Sequence, residues 1–307
     1  MILALSGGVG GAKLALGLSH VVPPEDLLIV ANTGDDFEHL GLSVSPDLDT
    51  LMYALAGLDN QTLGWGRRDE TWSFMETLGA LGGPSWFRLG DRDLAVHVER
   101  TRRLKAGENL TEVTQAFWRA LGIAPRGIPM SDDPVRTRVL AETGWLDFQD
   151  YFVGQQCRPV VRELAFHGVE AARPHPDFIA ALANPALEAV VICPSNPFIS
   201  IEPILALPGV RDALRACNAP IIAVSPIIAG QAVKGPTAKM MTELGMVPSS
   251  AAVAARYGDL LDTIILDSGD AAEVDDIDCR VLLAPTLMTT LDDKIGLARL
   301  VLDAART

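Results

Sequence analysis

Near its start the chain reads Ile2-Leu3-Ala4-Leu5-Ser6-Gly7-Gly8-Val9-Gly10-Gly11-Ala12-Lys13. Four apolar residues in a row predict a strand buried on both faces, and the glycines turn it into a helical pattern over Gly11–His20. Working outward, Leu27–Val30 reads as a second strand. Ala189–Ile192, Ile221–Val224 and Thr263–Leu266 read as three more, each followed by Pro, Ser or Gly and then a helical stretch. Short apolar runs with helices between them predict an α/β fold: a Rossmann-like, three-layer parallel sheet covered on both faces. Ligands of such sheets bind beyond the carboxyl ends of the strands, so the segments directly after these runs are where function is sought.

The middle of the chain differs. All five tryptophans, Trp65, Trp72, Trp86, Trp118 and Trp145, fall there, and the periodicity is helical up to about Ala120. Residues 61–164 are expected to form an inserted, mostly helical cap. The Rossmann-like core is then residues 1–60 and 165–307.

Charge narrows the function. The 25 Lys and Arg against 39 Asp and Glu give a net charge of −14, which argues against nucleic acid, whose backbone needs a basic patch. A small anion is still admissible, because one helix N-terminus and one lysine suffice for it. The apolar start lacks the basic flank of a signal peptide, and no apolar run reaches the roughly 18 residues of a membrane span. The four cysteines are far apart and the five histidines lack ligand spacing, which speaks against a disulfide framework and structural zinc. A cytoplasmic protein is expected.

The glycine-rich segment lets backbone N–H groups approach a phosphate at a helix N-terminus. It is neither a Walker A motif, since Leu14 follows Lys13, nor a GxGxxG fingerprint; a tight strand-to-helix turn is its plain alternative. Asn32 and Thr33 end the second strand and suit either a nucleotide or a solvated loop. In Ser45-Pro46-Asp47-Leu48-Asp49, Ser45 suits an N-cap, Pro46 the first helical position and Asp47 the helix dipole. Asp49 is needed for none of these and lies off the Leu48, Leu51, Met52, Leu55 stripe. Its carboxylate is therefore available to Mg²⁺ or a hydroxyl nucleophile. Arg88 and Asp91, in the acid–arginine cluster before the next helical stretch, could orient a polar ligand or simply cap that helix. Ser131-Asp132-Asp133 reads as a turn. Three later turns carry Ser195 and Asn196, Ser225, and Lys234 with Lys239. Several such turns at one sheet edge favour a nucleotide site.

Taken in order, Ser6–Lys13, Ser45–Tyr53, Trp65-Gly66 with Asp69–Trp72, Gly90–Asp93 with His97, Ser131–Asp133, Phe148-Gln149, Pro194–Pro197 with Ser200-Ile201, and Ser225–Gly230 resemble one family. It is the 2-phospho-L-lactate transferase and phosphoenolpyruvate transferase family of coenzyme F-420 biosynthesis. The resemblance spans nearly the whole chain and is specific as a combination. It implies a guanosine-nucleotide site in the core and a cap that helps hold the deazaflavin FO. A phosphoenolpyruvyl or 2-phospho-L-lactyl group would pass from a GMP-diphosphate donor to the ribityl hydroxyl of FO, releasing GMP. Gly7–Gly11 and Arg67–Trp72 are more similar to the bacterial, enolpyruvyl-using branch; archaeal relatives typically have Thr at the place of Val9 and Thr-Pro at that of Gly11-Ala12.

With that reaction, Gly7, Gly8, Gly10, Asn32, Thr33, Ser195, Asn196, Ser225 and Lys234 are the expected nucleotide-binding residues. Asp49 is the expected catalytic residue and Mg²⁺ ligand, with Asp49, Arg88 and Asp91 on the deazaflavin side. A homodimer is the expected assembly. Two other readings stand beside it. One is a non-enzymatic regulatory binder of nucleotides or nucleotide sugars of the gluconeogenesis-factor type, a group that typically lacks the Ser45–Tyr53 pattern. The other is a nicotinamide-dependent oxidoreductase, disfavoured by the broken GxGxxG.

Overall fold

The computed structural model describes residues 1–61 and 65–306. Seven strands form one parallel sheet: β1 (Ile2–Ser6), β2 (Leu27–Ala31), β3 (Arg126–Pro129), β4 (Ala189–Ile192), β5 (Ile221–Val224), β6 (Thr263–Asp267) and β7 (Arg280–Ala284). Their order is β7-β6-β5-β4-β1-β2-β3. In register, Ile2 faces Leu27 on one side and Ala189 on the other. Successive β1 side chains point to opposite faces. Leu3 and Leu5 join one apolar cluster with Val190 and Ile192, while Ile2 and Ala4 join a second with Leu14, Leu18 and Val301. That two-sided burial is why these strands read as continuous apolar runs rather than alternating ones.

From β1 the sheet grows one way through β2 and β3 and the other way through β4 to β7. The order reverses between β1 and β4, and their carboxyl ends flank the crevice where ligands of open α/β sheets sit. Helix α1 (Gly8–Ser19) leaves β1 at this point, and α2 (Pro46–Leu55) packs beside it. The C-terminal helix Leu291–Ala304 covers α1 so closely that a Cβ on Gly17 would lie 2.1 Å from the Lys294 carbonyl oxygen.

Helical periodicity in the middle segment corresponds to α3 (Ser73–Ala80), α4 (Asp91–Lys105) and α5 (Leu110–Ala120). After Ala120 the segment is mostly strand, with one π-helical turn at Asp150–Gly154, and it does not separate from the core as the 61–164 boundaries require. Arg126–Pro129 supplies β3, the edge strand beside β2. Arg136–Ala141, Gly144–Asp147 and Glu163–His167 then make a three-stranded antiparallel sheet. The physical reason lies in side-chain alternation: Thr137, Val139 and Ala141 are buried while the residues between them are half-exposed, the pattern of a one-sided strand. No helix among the described residues is long and apolar enough to cross a membrane.

Candidate active site

The glycine loop after β1 and the turn after β4 meet across the switch point. The Gly7 N–H donates to Ser195 Oγ at 3.1 Å. A Cβ on Gly10 would lie 2.1 Å from the Pro194 carbonyl oxygen, and one on Gly7 2.6 Å from Asp47 Oδ2 and from Ser200 Cβ. Side chains are excluded there by close approach, so glycine is the residue that fits. Around this junction opens a cavity of about 800 Å³, lined by Gly7, Gly8, Gly10, Asp49, Arg88, Ser195, Asn196, Ser225 and Lys234 among others.

Asp47 does more than complement a helix dipole. Its Oδ1 accepts the Gly8 N–H at 2.6 Å and its Oδ2 accepts from Asn32 Nδ2 at 2.9 Å. Asn32 also donates to Asp35 Oδ1 at 2.8 Å, so one amide links two acids lining the cavity. Burial pushes the Asp47 carboxyl up to about 6, restrained by the hydrogen bonds from Asn32 and Gly8. Burial, with the charges of Asp47 and Asp36, holds Asp35 well above the usual carboxylate range. Behind them burial pushes Asp36 up to about 7. Ser45 does not cap α2 with its side chain; its hydroxyl donates to Asp36 Oδ2 at 2.8 Å instead.

Asp49 sits at the centre of a second buried network. Arg100 Nη1 donates to Asp49 Oδ2 at 3.0 Å, and Arg100 Nη2 to Asp49 Oδ1. Arg100 Nη1 also lies 3.3 Å from His97 Nδ1; since arginine only donates, that ring nitrogen is the acceptor. The other ring nitrogen, Nε2, lies 3.2 Å from Asp93 Oδ2. Tyr53 donates its hydroxyl to Asp93 Oδ1 at 2.5 Å. Burial would raise the Asp93 carboxyl, but His97 and the Tyr53 hydroxyl outweigh it and hold it below the usual range. Asp49, Asp93, Tyr53 and His97 all line the cavity.

An aromatic wall completes it. Trp65, Trp86, Phe87, Phe148 and Phe152 line the cavity, and Phe148 and Phe152 stack at 5.4 Å. Trp118, by contrast, is core. Arg88 lies over the Trp72 ring at 4.0 Å, a cation–π contact at the rim.

Several expected site residues serve the frame rather than the cavity. Asn32 and Thr33 are buried and do not line this cavity. Asp91 is also absent from the lining: its carboxylate takes the Thr71 hydroxyl and the N–H groups of Ser73 and Phe74, binding the start of α3 to α4. Asn196 lines the cavity while its Oδ1 accepts the Phe198 N–H at 2.9 Å. Ser225 accepts from Ile227 N–H and shares a 2.8 Å hydrogen bond with Ser250. Lys234 stands exposed on the rim. Tyr53 and Asp93 lie in segments the sequence singles out but receive no individual role from it, and Arg100 lies outside those segments. The signal available was the Asp93-x₃-His97-x₂-Arg100 spacing, which puts all three on one face of α4.

The chain is thus an open parallel α/β protein with its ligand cavity at the switch point, acids and aromatics sharing that space with a glycine loop. It belongs to the 2-phospho-L-lactate transferase CofD family, whose model matches residues 2–280. It is 40% identical over 313 residues to a phosphoenolpyruvate transferase of Streptomyces griseus, covering 99% of this chain and 98% of that one. It is 37% identical over 306 residues to a 2-phospho-L-lactate transferase of Methanosarcina mazei, covering 99% and 100%. Among solved structures, a UPF0052 family member from Bacillus halodurans superposes with a TM-score of 0.65 over 98% of both chains at 13% identity, a likeness of fold.

Proposed function

We propose that the chain transfers a phosphoenolpyruvyl group from a GMP-diphosphate donor to the ribityl hydroxyl of FO and releases GMP. The 2-phospho-L-lactyl donor is the second choice. One observation carries the reading: the glycine loop, the Asp49–Asp93 carboxylates and the flat aromatic wall open onto one cavity. That arrangement suits a substrate with phosphates at one end and a planar ring system at the other. Relatives named for both donor types support the transferase class.

In this reading the hydroxyl oxygen attacks the distal phosphorus, the bond to the bridging oxygen breaks, and its electron pair leaves with GMP. Such transfers depend on positioning and charge neutralisation more than on covalent chemistry. Asp49, fixed by the Arg100 fork, holds the acceptor hydroxyl; Phe148 and Phe152 hold the ring and exclude water. Asp49, Asp93 and His97 bring three ligand atoms within 4.8 Å of one another. Mg²⁺ prefers carboxylate oxygens, so Asp49 and Asp93 would hold it. Bound there, it would supply charge neutralisation at the transferring phosphate.

The test is product analysis by mass after incubation with FO and each guanylylated donor, in competition. Faster enolpyruvyl transfer is expected. A lactyl preference would overturn the donor assignment alone, and no transfer from either donor would refute the transferase reading.

A further inference from the structure

Two lysines open onto the cavity. Lys13 follows the glycine loop within α1 and lines the same cavity as Gly7, Gly8 and Gly10. It donates to the Met288 carbonyl oxygen at 2.6 Å. A carbonyl is neutral, so this contact leaves the ammonium charge uncompensated. Lys234, on the rim, has no ion-pair partner among the described residues. Burial and the charges of Lys234 and Lys294 hold the Lys13 ammonium below the usual lysine range, against the weaker pull of Asp59 and Asp293.

The loop itself has fewer donors to offer than its glycines suggest. The Gly7 N–H is taken by Ser195 and the Gly8 N–H by Asp47. Asp35, Asp47, Asp49 and Asp93 line the same cavity, and of these Asp49 is paired with a cation, Arg100. Side-chain cations therefore take a share of the neutralisation, beside whatever a bound Mg²⁺ would supply. Arg88 also lines the cavity, but it lies over the Trp72 ring on the side of the aromatic wall, whereas Lys13 stands next to the glycine loop in sequence.

We propose that Lys13, together with Lys234, is the cationic subsite for the nucleotide's diphosphate, with Lys13 exchanging the Met288 carbonyl for a phosphate oxygen. This rests on the nucleotide reading above. During transfer the electron pair of the breaking bond goes to the oxygen that leaves with GMP, and the Lys13 ammonium neutralises the charge arriving there. The hydroxyl proton goes to a site carboxylate.

The experiment is calorimetric binding of GDP and of guanosine to the full chain and its Lys13→Met and Lys13→Arg variants. Lys13→Met is expected to weaken GDP by about 10- to 100-fold, the loss of one charge-assisted contact, and to leave guanosine unchanged. Lys13→Arg should fall between. Retained guanosine binding shows that the variant is folded. If Lys13 serves only to dock the Met288 segment, GDP and guanosine affinities shift together or not at all, and that result overturns the proposal. Wild-type chain that fails to prefer GDP over guanosine would instead overturn the nucleotide reading beneath it.

Discussion

The Asp47 carboxylate accepts the Gly8 N–H at 2.6 Å, tying the first turn of α2 to the first turn of α1. Asp47→Ala leaves that N–H and the Asn32 amide without this acceptor, which costs about 1–3 kcal/mol for buried groups. Asp47→Asn, which can still accept from Gly8, should cost less. Urea unfolding checks this: the midpoint falls for alanine more than for asparagine, with the slope unchanged. Equal midpoints would mean that the contact stabilises nothing.

Arg100 and Asp49 form a buried pair, so removing one partner strands the other. Arg100→Met is expected to cost about 3–5 kcal/mol, much of it recovered on adding Asp49→Asn. A double-mutant cycle in urea measures the coupling, and additive losses would contradict the pairing. In the FO transfer assay Asp49→Asn alone should slow turnover on the order of 10²-fold or more, because the acceptor hydroxyl loses its anchor.

Asp36 supplies a pH dependence. Burial raises its carboxyl from an ordinary 3.8 to about 7, so the folded chain binds this proton more tightly than the unfolded one. Its stabilising contribution is complete below 3.8, is lost as pH rises through 7, and is absent above. Asp36→Asn removes the titration while its amide oxygen can still accept from Ser45. The variant should melt several degrees above wild type at pH 8 and close to it at pH 4. Parallel melting curves across that range would place the charge elsewhere.

Two glycines should behave oppositely. Gly10→Ala drives a methyl to 2.1 Å from the Pro194 carbonyl oxygen, so β4's turn or the glycine loop has to shift. Loss of stability and of nucleotide binding is expected together. Gly79 lies in α3 with nothing within 4 Å of its would-be Cβ. There alanine should stabilise by about 0.5–1 kcal/mol. Thermal melts of both variants decide it.

The sheet was legible because its signals are local. Ile2–Leu5 and Ala189–Ile192 are buried on both faces, and the residues that turn the chain after them stand next in sequence. The site was legible only where its residues lie on those turns. Asp91 and Asp93 are alike in sequence, yet Asp91 faces the start of α3 and Asp93 faces Tyr53 and the cavity. Which of them looks inward depends on how α4 rolls against α2, a packing outcome that no local pattern encodes. Arg100 was missed for a related reason. Its partner stands fifty-one positions earlier, and an arginine on a mostly polar helix reads as solvated until a carboxylate is found facing it.

Trp118 of α5 rests on Gly127 of β3, where a Cβ would come within 2.0 Å of the indole. The last α-helix of the inserted segment is thereby keyed into the edge of the core sheet. An insertion of this kind cannot be lifted out as a cassette or exchanged between relatives at the 61–164 boundaries, since the excised piece would carry β3 with it and leave β2 paired on one side only. Whatever loosens α5 therefore also loosens the edge of the sheet on which the glycine loop is built.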